Sequence, residues 1–555
     1  MNLLLGTILF SCSAYSHGYG QCPAPIVDVG YAKYQGRVNP ETLNTEFLGI
    51  RYAAPPTGNL RWREPRPPAK EKGLNLAYSP PNRCYQAYPG LSSNGTGSVF
   101  EKVVRSSPPT NASPETEDCL FLNVYTPGDD FNKVAKKKLP VIFWIHGGGY
   151  ILGSATSTGY GGNAAYDGNE LIRLSGGKVV VVAIQYRLGL FGFLSSKYVK
   201  ANGALNAGLL DQQFALQWVQ RNIAKFGGDP SRVTIWGQSA GGGSVLQQLI
   251  ANGGKTSPPL FSNAILSSMF LPAQHRFDHH IFESQFSKVL ELTGCAKTKG
   301  DPTACLRKAE ASVLQSANTR MADEAVWTYG EFSFVPVVDE DLIRESPTRS
   351  LKQGRVNSKH TLLTATSAEG FIFIDAGIAP DSLGLGDYVR RLLPFLPAED
   401  VATTVSKYSA FNPGLEQFWH VMNDVYFVCP TYLVATSLNG HTYKAEFAIP
   451  PAFHADDMPY YFPNTAPPTG RAFDNDQFSQ AFAQAYVDFA SSGDPNVKGN
   501  TSSILPYWTK WTNSSATEML FNRTGDAADI RAVKMSADLI GRCEFWASVA
   551  RYTGQ

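Results

Sequence analysis

The chain has 555 residues, of which 43% are hydrophobic and 17% are charged. It therefore has enough apolar material for a large core and too little charge for an intrinsically disordered chain. Lysine and arginine number 48 against 47 aspartate and glutamate residues, a formal net charge of +1, which argues against nucleic acid or an anionic membrane as a partner.

The N-terminal segment has the pattern of a secretory signal. An apolar stretch from Leu3 to Phe10 is followed by small and polar residues, and it is too short to span a bilayer. We therefore expect residues 1–16 to be removed and residues 17–555 to form a secreted, extracellular chain without a stable membrane anchor. Five Asn-X-Ser/Thr sequons fit a secreted glycoprotein, although sequons also arise by chance: Asn94, Asn111, Asn500, Asn513 and Asn522.

Eight cysteines are present, and loss of Cys12 with the signal leaves seven. An odd number in an oxidising compartment predicts three disulfides and one unpaired thiol. Because there is no Cys-X-X-Cys pair, neither a zinc site nor thioredoxin-like chemistry is predicted.

Four apolar runs bounded by turn residues predict strands that are covered by helices on both faces. They are residues 139–149, 178–187, 232–239 and 360–367. Between the second and the third, residues 208–226 carry apolar side chains at the three- and four-residue spacing of a helix. This order of strand, helix and strand predicts an α/β fold with a mostly parallel sheet.

Two glycine clusters follow predicted strands. The strand at 232–239 ends in GQSAG, centred on Ser239, and a helical pattern follows it. G-x-S-x-G between a strand and a helix is typical of a nucleophile elbow. A phosphate-binding loop would need different glycine spacing and a lysine, and a plain turn is the remaining alternative. The strand at 139–149 ends in HGGG, which suits an oxyanion-hole loop or a simple turn.

Five long segments carry a family resemblance: FLGIRYAAPPTGNLRWREPRPP (47–68), EDCLFLNVYTP (117–127), NAGLLDQQFALQWVQRNIAKFGGDPSRVTIWGQSAGG (206–242), FVPVVDEDLI (334–343) and FHADDMPYYF (453–462). They are similar to the type-B carboxylesterase/lipase family, the cholinesterase-like α/β-hydrolases, and in particular to its secreted fungal esterases and lipases. The resemblance spans nearly the whole mature chain and implies a single α/β-hydrolase domain with a large, mostly parallel sheet flanked by helices.

The resemblance also implies the functional residues. Ser239 falls on the family's nucleophile, Glu369 in TSAEG on its acid and His454 on its base, in the chain order expected of α/β-hydrolases. The backbone N–H groups of Gly148, Gly149 and Ala240 would form the oxyanion hole. No cofactor and no metal are expected.

Cysteine pairing and one ion pair are likewise implied by the family. Cys84 would pair with Cys119 and Cys295 with Cys305, while Cys429 with Cys543 is a third pairing that would leave Cys22 unpaired. The family also implies a buried ion pair between Arg61 and Glu117.

Other residues compete for these roles. His146, beside the glycine loop, is the rival base, and we interpret it as structural; Asp339 and Asp375 are rival acids. His275, His279 and His280 with Asp278 raise the question of a metal, but their spacing is no known ligand pattern and favours a solvated helix face.

The sequence predicts a carboxylic ester hydrolase for substrates with apolar acyl or alcohol groups. Cholinesterases, the choline-ester branch of the family, bind the quaternary ammonium with a tryptophan in the first disulfide loop; the 84–119 loop has no tryptophan, so the resemblance disfavours choline esters. In that loop, residues 98–106 place Val99, Phe100, Val103 and Val104 on one face, which suits either a lipase lid at a lipid interface or a short helix packed on the core. A true lipase or sterol esterase, and a non-catalytic binding member of the family, are the alternatives, and the oligomeric state stays open.

Overall fold

The computed structural model describes residues 24–89, 97–106, 112–156, 165–322, 332–358, 360–375, 383–467, 469–499 and 502–555. The predicted signal peptide, Cys22 and the sequons at Asn94, Asn111 and Asn500 lie outside the described residues.

Strands in this part of the chain form a small sheet of three and a large sheet of eleven. In chain order they are β1 (Ile26–Asp28), β2 (Lys33–Gln35), β3 (Arg37–Val38), β4 (Thr45–Arg51), β5 (Leu74–Leu76), β6 (Phe121–Thr126), β7 (Leu139–Ile145), β8 (Val180–Ile184), β9 (Gly228–Gln238), β10 (Asn263–Ser267), β11 (His360–Thr366), β12 (Thr442–Phe447), β13 (Thr517–Thr524) and β14 (Ala527–Lys534). The four strands predicted from sequence are therefore present as β7, β8, β9 and β11.

The large sheet is mostly parallel. Its order is β3-β4-β6-β8-β7-β9-β10-β11-β12-β13-β14, and every neighbouring pair from β8 to β13 is parallel. The outer pairs, β3–β4, β4–β6, β6–β8 and β13–β14, are antiparallel. The predicted α/β sheet is confirmed.

The central strands are buried because helices cover both faces of the sheet. Along β7, Val141, Phe143 and Ile145 belong to one hydrophobic core, whereas Ile142 and Trp144 belong to a second. Alternating side chains of one strand thus enter two cores, which explains why the strand is a continuous apolar run rather than an alternating pattern.

Helices connect and flank these strands. In chain order they are α1 (Val99–Ser106), α2 (Phe131–Val134), α3 (Gly168–Leu174), α4 (Gly189–Phe193), α5 (Lys197–Asn202), α6 (Ala207–Asn222), α7 (Ala240–Gly254), α8 (His280–Leu292), α9 (Pro302–Lys308), α10 (Ala311–Arg320), α11 (Pro347–Lys352), α12 (Leu385–Leu392), α13 (Ala398–Lys407), α14 (Leu415–Asn423), α15 (Cys429–Ser437), α16 (Met458–Tyr461), α17 (Asp476–Ser492), α18 (Ala537–Ser548) and α19 (Ala550–Thr553). The predicted helix at 208–226 corresponds to α6 and a 3₁₀ turn at Ile223–Phe226. Within the described ranges no helix is long and apolar enough to cross a bilayer.

Disulfides join Cys84 to Cys119, Cys295 to Cys305 and Cys429 to Cys543, the three pairings implied by the resemblance. The expected ion pair is also present: Arg61 Nε and Nη2 donate to the two carboxylate oxygens of Glu117 at 2.6 and 2.7 Å, and both side chains are 7% exposed. Arg61 thereby fixes the base of the loop closed by the first disulfide.

Candidate active site

The predicted site residues lie at one edge of the large sheet. Ser239 directly follows β9, Glu369 follows β11 and His454 lies beyond β12, while the glycine loop with Gly148 and Gly149 follows β7. These strands are parallel, so their carboxyl ends open at the same edge, where α/β proteins place their ligands.

Ser239 occupies a tight, strained turn. Its backbone has φ 60° and ψ −127°, outside the regions that non-glycine residues favour, and α7 begins at the next residue. The turn is held by a hydrogen bond from Ser239 N to Ser267 O at 3.0 Å and by one from Gly243 N to Ser239 O at 2.8 Å. Such strain between a strand and a helix is the expected geometry of a nucleophile elbow.

The glycine at position 241 is required by close backbone approach. A Cβ atom there would lie 2.1 Å from the carbonyl oxygen of Ile145, at the end of β7. The first turn of α7 therefore packs directly on the strand that leads into the glycine loop, and this contact brings the two predicted halves of the site together.

The glycine loop leaves backbone donors unused. Gly148 has φ 109°, and a Cβ on it would lie 2.2 Å from Leu152 O, so the loop folds tightly back on itself. Among the described residues, none accepts a hydrogen bond from the N–H groups of Gly148, Gly149 or Ala240. Gly149 contacts Phe332, because a Cβ on Gly149 would lie 2.6 Å from Cζ of that ring.

His454 and Glu369 are directly hydrogen-bonded. His454 Nδ1 donates to Glu369 Oε2 at 2.5 Å, and the Glu369 side chain is fully buried. The other carboxylate oxygen of Glu369 accepts a hydrogen bond from Thr366 N at 2.6 Å. A carboxylate held in this way fixes the tautomer and the orientation of the imidazole.

The remaining imidazole nitrogen faces the end of β9. His454 Nε2 lies 3.3 Å from Nε2 of Gln238, the residue before Ser239. Among the described residues, the Ser239 hydroxyl and His454 Nε2 form no direct hydrogen bond with each other. Catalytic hydrogen bonds of this kind are often long without substrate and tighten in the complex.

The rival base is enclosed by protein. His146 is fully buried, its Nδ1 lies 2.9 Å from Gly147 O, and its ring stacks on Tyr186 with centroids 4.4 Å apart. Burial lowers the pKa of His146 to about 4. A neutral, enclosed imidazole that supports the glycine loop fits the structural role expected from sequence.

Neither rival acid contacts His454 in the described part of the chain. Asp339 accepts hydrogen bonds from Asn206 Nδ2 at 2.7 Å and from Ile343 N at 2.8 Å, and it organises a turn. Asp375 forms an isolated backbone bridge with Ser98. Of the three candidate acids, only Glu369 contacts His454 in the described structure.

The histidine row at 275–280 is built by ring stacking. The rings of His275 and His279 stack 4.3 Å apart, His280 follows, and all three pack edge-on against Phe395. No group of three or more His, Cys, Asp or Glu side chains in the described ranges could hold a metal ion.

Sequence reasoning missed the phenylalanine rings around His454. The Phe373 ring meets the imidazole edge-on with centroids 5.0 Å apart, and the Phe427 ring lies 4.8 Å away. Phe270 packs on both Phe427 and Phe332. Each residue comes from a different segment, so no local motif could have revealed the cluster.

A second carboxylate lies close to the candidate acid. Asp457 is fully buried and accepts a hydrogen bond from Tyr461 Oη at 2.9 Å. Burial, and secondly the charge of Glu369, raise the pKa of Asp457 to about 7. The acidic pair after His454 is visible in the sequence, but its burial is not.

Helix α1 of the 84–119 loop turns only half of its predicted apolar face inward. Val104 is buried, and the Phe100 ring packs on Phe373 at 5.5 Å and on Phe332 at 6.2 Å. Val99 and Val103 are 37% and 41% exposed. The division follows from helix geometry, because residues four apart share one side of a helix. Val99 and Val103 therefore lie on one side, and Phe100 and Val104 lie about 100° around the helix from them.

Comparisons with known proteins agree with this architecture. The carboxylesterase family model matches residues 23–540. Carboxylesterase patB from Aspergillus clavatus is 32% identical over 511 residues, covering 85% of this chain and 88% of that protein. Lipase 5 from Diutina rugosa is 30% identical over 510 residues, covering 85% and 87%. The structure of Aspergillus niger EstA superposes with a TM-score of 0.79 at 28% identity, covering 96% of this chain and 99% of EstA.

The mostly parallel sheet flanked by helices is the fold of an α/β-hydrolase, and Ser239 and the His454–Glu369 pair lie at its carboxyl edge. The chain belongs to the carboxylesterase family and is a carboxylic ester hydrolase.

Proposed function

We propose that the protein hydrolyses carboxylic esters with apolar acyl or alcohol groups through a Ser239–His454–Glu369 triad and an acyl-enzyme. The observation that carries the proposal is the 2.5 Å hydrogen bond from His454 Nδ1 to buried Glu369, formed beside a strained serine. With Nδ1 donating to Glu369, Nε2 is the basic nitrogen of His454, and it would accept the proton of Ser239 in place of its 3.3 Å contact with the Gln238 amide.

In the proposed mechanism, His454 Nε2 takes the proton of Ser239 Oγ as this oxygen attacks the ester carbonyl carbon. The N–H groups of Gly148, Gly149 and Ala240 stabilise the resulting oxyanion, and loss of one such donor typically costs about 3 kcal/mol of barrier. The imidazolium then protonates the departing alcohol. Water, deprotonated by His454, cleaves the acyl-enzyme and regenerates the Ser239 hydroxyl. No step needs a cofactor.

The preference for apolar groups is supported by the phenylalanine cluster. Rings of Phe270, Phe332, Phe373 and Phe427 lie around Gly149 and His454, where an acyl or alcohol group would sit during attack. These side chains present no charge to a substrate, so apolar surface on the ester would be buried favourably.

A lipase or sterol esterase is the second candidate, favoured by one observation. Helix α1, inside the Cys84–Cys119 loop, exposes Val99 and Val103 to solvent while Phe100 contacts the phenylalanine cluster. A covering helix with apolar residues on both sides suits a lid that opens on lipid. The non-catalytic alternative would require loss of the triad, and all three residue types are retained.

Secretion is part of the proposal. Three disulfides are typical of proteins that fold in an oxidising compartment. Asn513 is exposed and Asn522, on β13, is half-buried, so Asn513 is the better glycan acceptor of the two described sequons.

Hydrolysis of p-nitrophenyl esters from acetyl to palmitoyl, by the wild type and by Ser239→Ala, tests the function. We expect activity that is lost in the variant. A short-chain optimum supports an esterase with a closed pocket, and a long-chain optimum supports a working lid. No hydrolysis at any chain length would contradict the broad esterase function.

A further inference from the structure

One segment near the candidate site departs from regular helical geometry. Between α14 and α15 the chain forms a single π-helical turn, Asp424–Val428, in which the N–H of Cys429 donates to the carbonyl of Asp424 five residues earlier. Such turns are rare and are frequently found at functional sites. All five residues of this turn are buried.

The π-turn carries a ring that contacts the candidate base. The Phe427 ring lies 4.8 Å from the His454 imidazole and stacks on Phe373, with centroids 5.4 Å apart and planes 17° apart. Phe373 itself meets the imidazole at 5.0 Å. Two phenyl rings that also support each other therefore confine the imidazole, while Glu369 fixes it through Nδ1.

The other side of the π-turn is held by helix α18. Fully buried Asp424 accepts hydrogen bonds through Oδ2 from Arg542 Nε at 2.6 Å and from Tyr408 Oη at 2.7 Å. Trp546 Nε1 donates to Tyr408 Oη at 2.8 Å, which completes the network. The Cys429–Cys543 disulfide links the same two segments, since Cys429 directly follows the π-turn and Cys543 directly follows Arg542.

Stability alone does not account for a charge at this position. Burying a carboxylate costs several kcal/mol, and a well-packed apolar pair of similar volume is often as stable as a buried ion pair. An ion pair does constrain geometry, because its charge-assisted hydrogen bond fixes both the distance and the direction between donor and acceptor. Here that constraint acts on the turn whose Phe427 touches His454.

We propose that Asp424 and Arg542 are positioning residues for ester hydrolysis, acting through the π-turn. Their ion pair fixes the π-turn against α18, the π-turn fixes Phe427, and Phe427 with Phe373 holds the His454 imidazole in position next to the end of β9, from which it would act on Ser239. This inference deepens the proposed triad mechanism and rests on it.

The test is Asp424→Asn, which keeps the size and shape of the side chain, replaces one carboxylate oxygen by an NH2 group and removes the charge that binds Arg542. The matched control is Glu518→Gln, which removes the acid of the buried Lys444–Glu518 pair, whose side chains are 3% and 5% exposed, between β12 and β13. In Asp424→Asn, we expect kcat on p-nitrophenyl butyrate to fall about tenfold or more, because small displacements of catalytic groups have large effects. KM should stay within about twofold, since ground-state contacts are retained.

Hydrogen exchange followed by mass spectrometry measures, without substrate, whether a change at Asp424 affects the backbone around His454. Asp424→Asn should speed exchange in peptides covering 424–428 and 453–455, and Glu518→Gln should leave both at wild-type rates. If Asp424→Asn folds poorly, the neutral pair Asp424→Asn/Arg542→Gln replaces it and should show the same kcat loss and the same exchange.

The outcomes separate the two hypotheses. Wild-type protein that hydrolyses no ester contradicts the proposed function, and the exchange data then decide the positioning role alone. The positioning role is wrong if the wild type is active but the Asp424 and Glu518 variants lose kcat equally. It is also wrong if exchange near His454 does not respond to Asp424→Asn. Neither result would contradict the proposed triad.

Discussion

Glu369 and His454, 85 residues apart in the chain, meet in a 2.5 Å hydrogen bond in the buried interior. They meet because β11 and β12 are parallel neighbours, so the segments that leave their carboxyl ends emerge side by side. An isolated backbone bridge between Ala368 and Phe453 brings the residues just before each of them into register. The pairing is thus a consequence of sheet order.

Replacement of the acid tests its assignment. Glu369→Gln keeps the size of the side chain but offers His454 a neutral partner, so the imidazolium loses its stabilisation and the tautomer is no longer fixed. We expect kcat to fall by about 10³–10⁴-fold. Asp375→Asn, the same change at the rival acid, should retain most activity on p-nitrophenyl butyrate. Equal losses in the two variants would reject Glu369 as the specific partner.

The glycine loop gives a second prediction. Gly149→Ala places a methyl group 2.6 Å from the Phe332 ring, so the loop or the ring must move, which would displace the proposed oxyanion donor at Gly149. We expect kcat/KM to drop by about 10²-fold or more. Adding Phe332→Ala should recover part of the loss, because the obstructing ring is removed.

Gly176→Ala is the matched control for backbone strain alone. Gly176 has φ 64°, close to the 61° of Gly149, but a Cβ there would meet nothing within 4 Å. This variant should be slightly less stable and fully active. A comparable activity loss at Gly176 would mean that global strain, rather than the contact with Phe332, explains the Gly149 result.

The raised pKa of Asp457 predicts that the stability of the folded protein depends on pH. Its pKa in the folded protein is about 7, above the ordinary 3.8, mainly because of burial. The neutral carboxyl of Asp457 therefore contributes its full stabilisation below pH 3.8. This stabilisation is lost as the pH rises through 7, because the folded protein must then bury a charged carboxylate. Asp457→Asn cannot ionise and still accepts the hydrogen bond from Tyr461, so its Tm relative to wild type should increase from pH 5 to pH 8.

Thermal unfolding of both proteins at pH 5 and pH 8 measures this difference. Asp474→Asn makes the same charge change at a side chain that is 86% exposed and should show little pH-dependent difference. A Tm difference for Asp457→Asn that is constant over this range would contradict the raised pKa.

Replacing either of two arginines at the base of the first disulfide loop should destabilise the protein by different amounts. Arg61→Leu leaves Glu117 buried without its partner and removes donors to the carbonyls of Leu306, Arg307 and Ala309. We expect a loss of about 3–5 kcal/mol in the free energy of unfolding. Urea denaturation followed by tryptophan fluorescence measures it.

The comparison is Arg51→Leu, which breaks the ion pair with Asp118, a side chain that is 34% exposed. Solvent screens this pair, so the cost should be about 1 kcal/mol or less. Similar losses for the two variants would show that burial does not distinguish the pairs.

Local patterns and the family resemblance account for what the sequence predicts, and Glu369, His454 and the disulfide pairings follow from the resemblance alone. The turn at Ser239 and the glycine loop are recognisable because each is a contiguous motif after an apolar run. Strands β7 and β9 follow from continuous apolar runs, and α6 follows from the helical spacing of its apolar residues. The contact between His454 and Phe427, or between Asp424 and Arg542, 118 residues apart, could not be derived because it depends on packing between distant segments. The sequence pattern of α1 predicts one apolar face, and the structure divides that face between core and solvent.

The central claim is that Ser239 is a nucleophile activated by His454, and the most direct measurement is covalent labelling by diethyl p-nitrophenyl phosphate. The reagent transfers its diethylphosphoryl group to an activated serine oxygen and releases p-nitrophenol, and mass spectrometry of the intact protein and its peptides locates the adduct. We predict one adduct on Ser239, none in Ser239→Ala and much slower labelling in His454→Ala. An active enzyme that is labelled at another residue, or labelling of Ser239 that is equally fast without His454, would contradict the account.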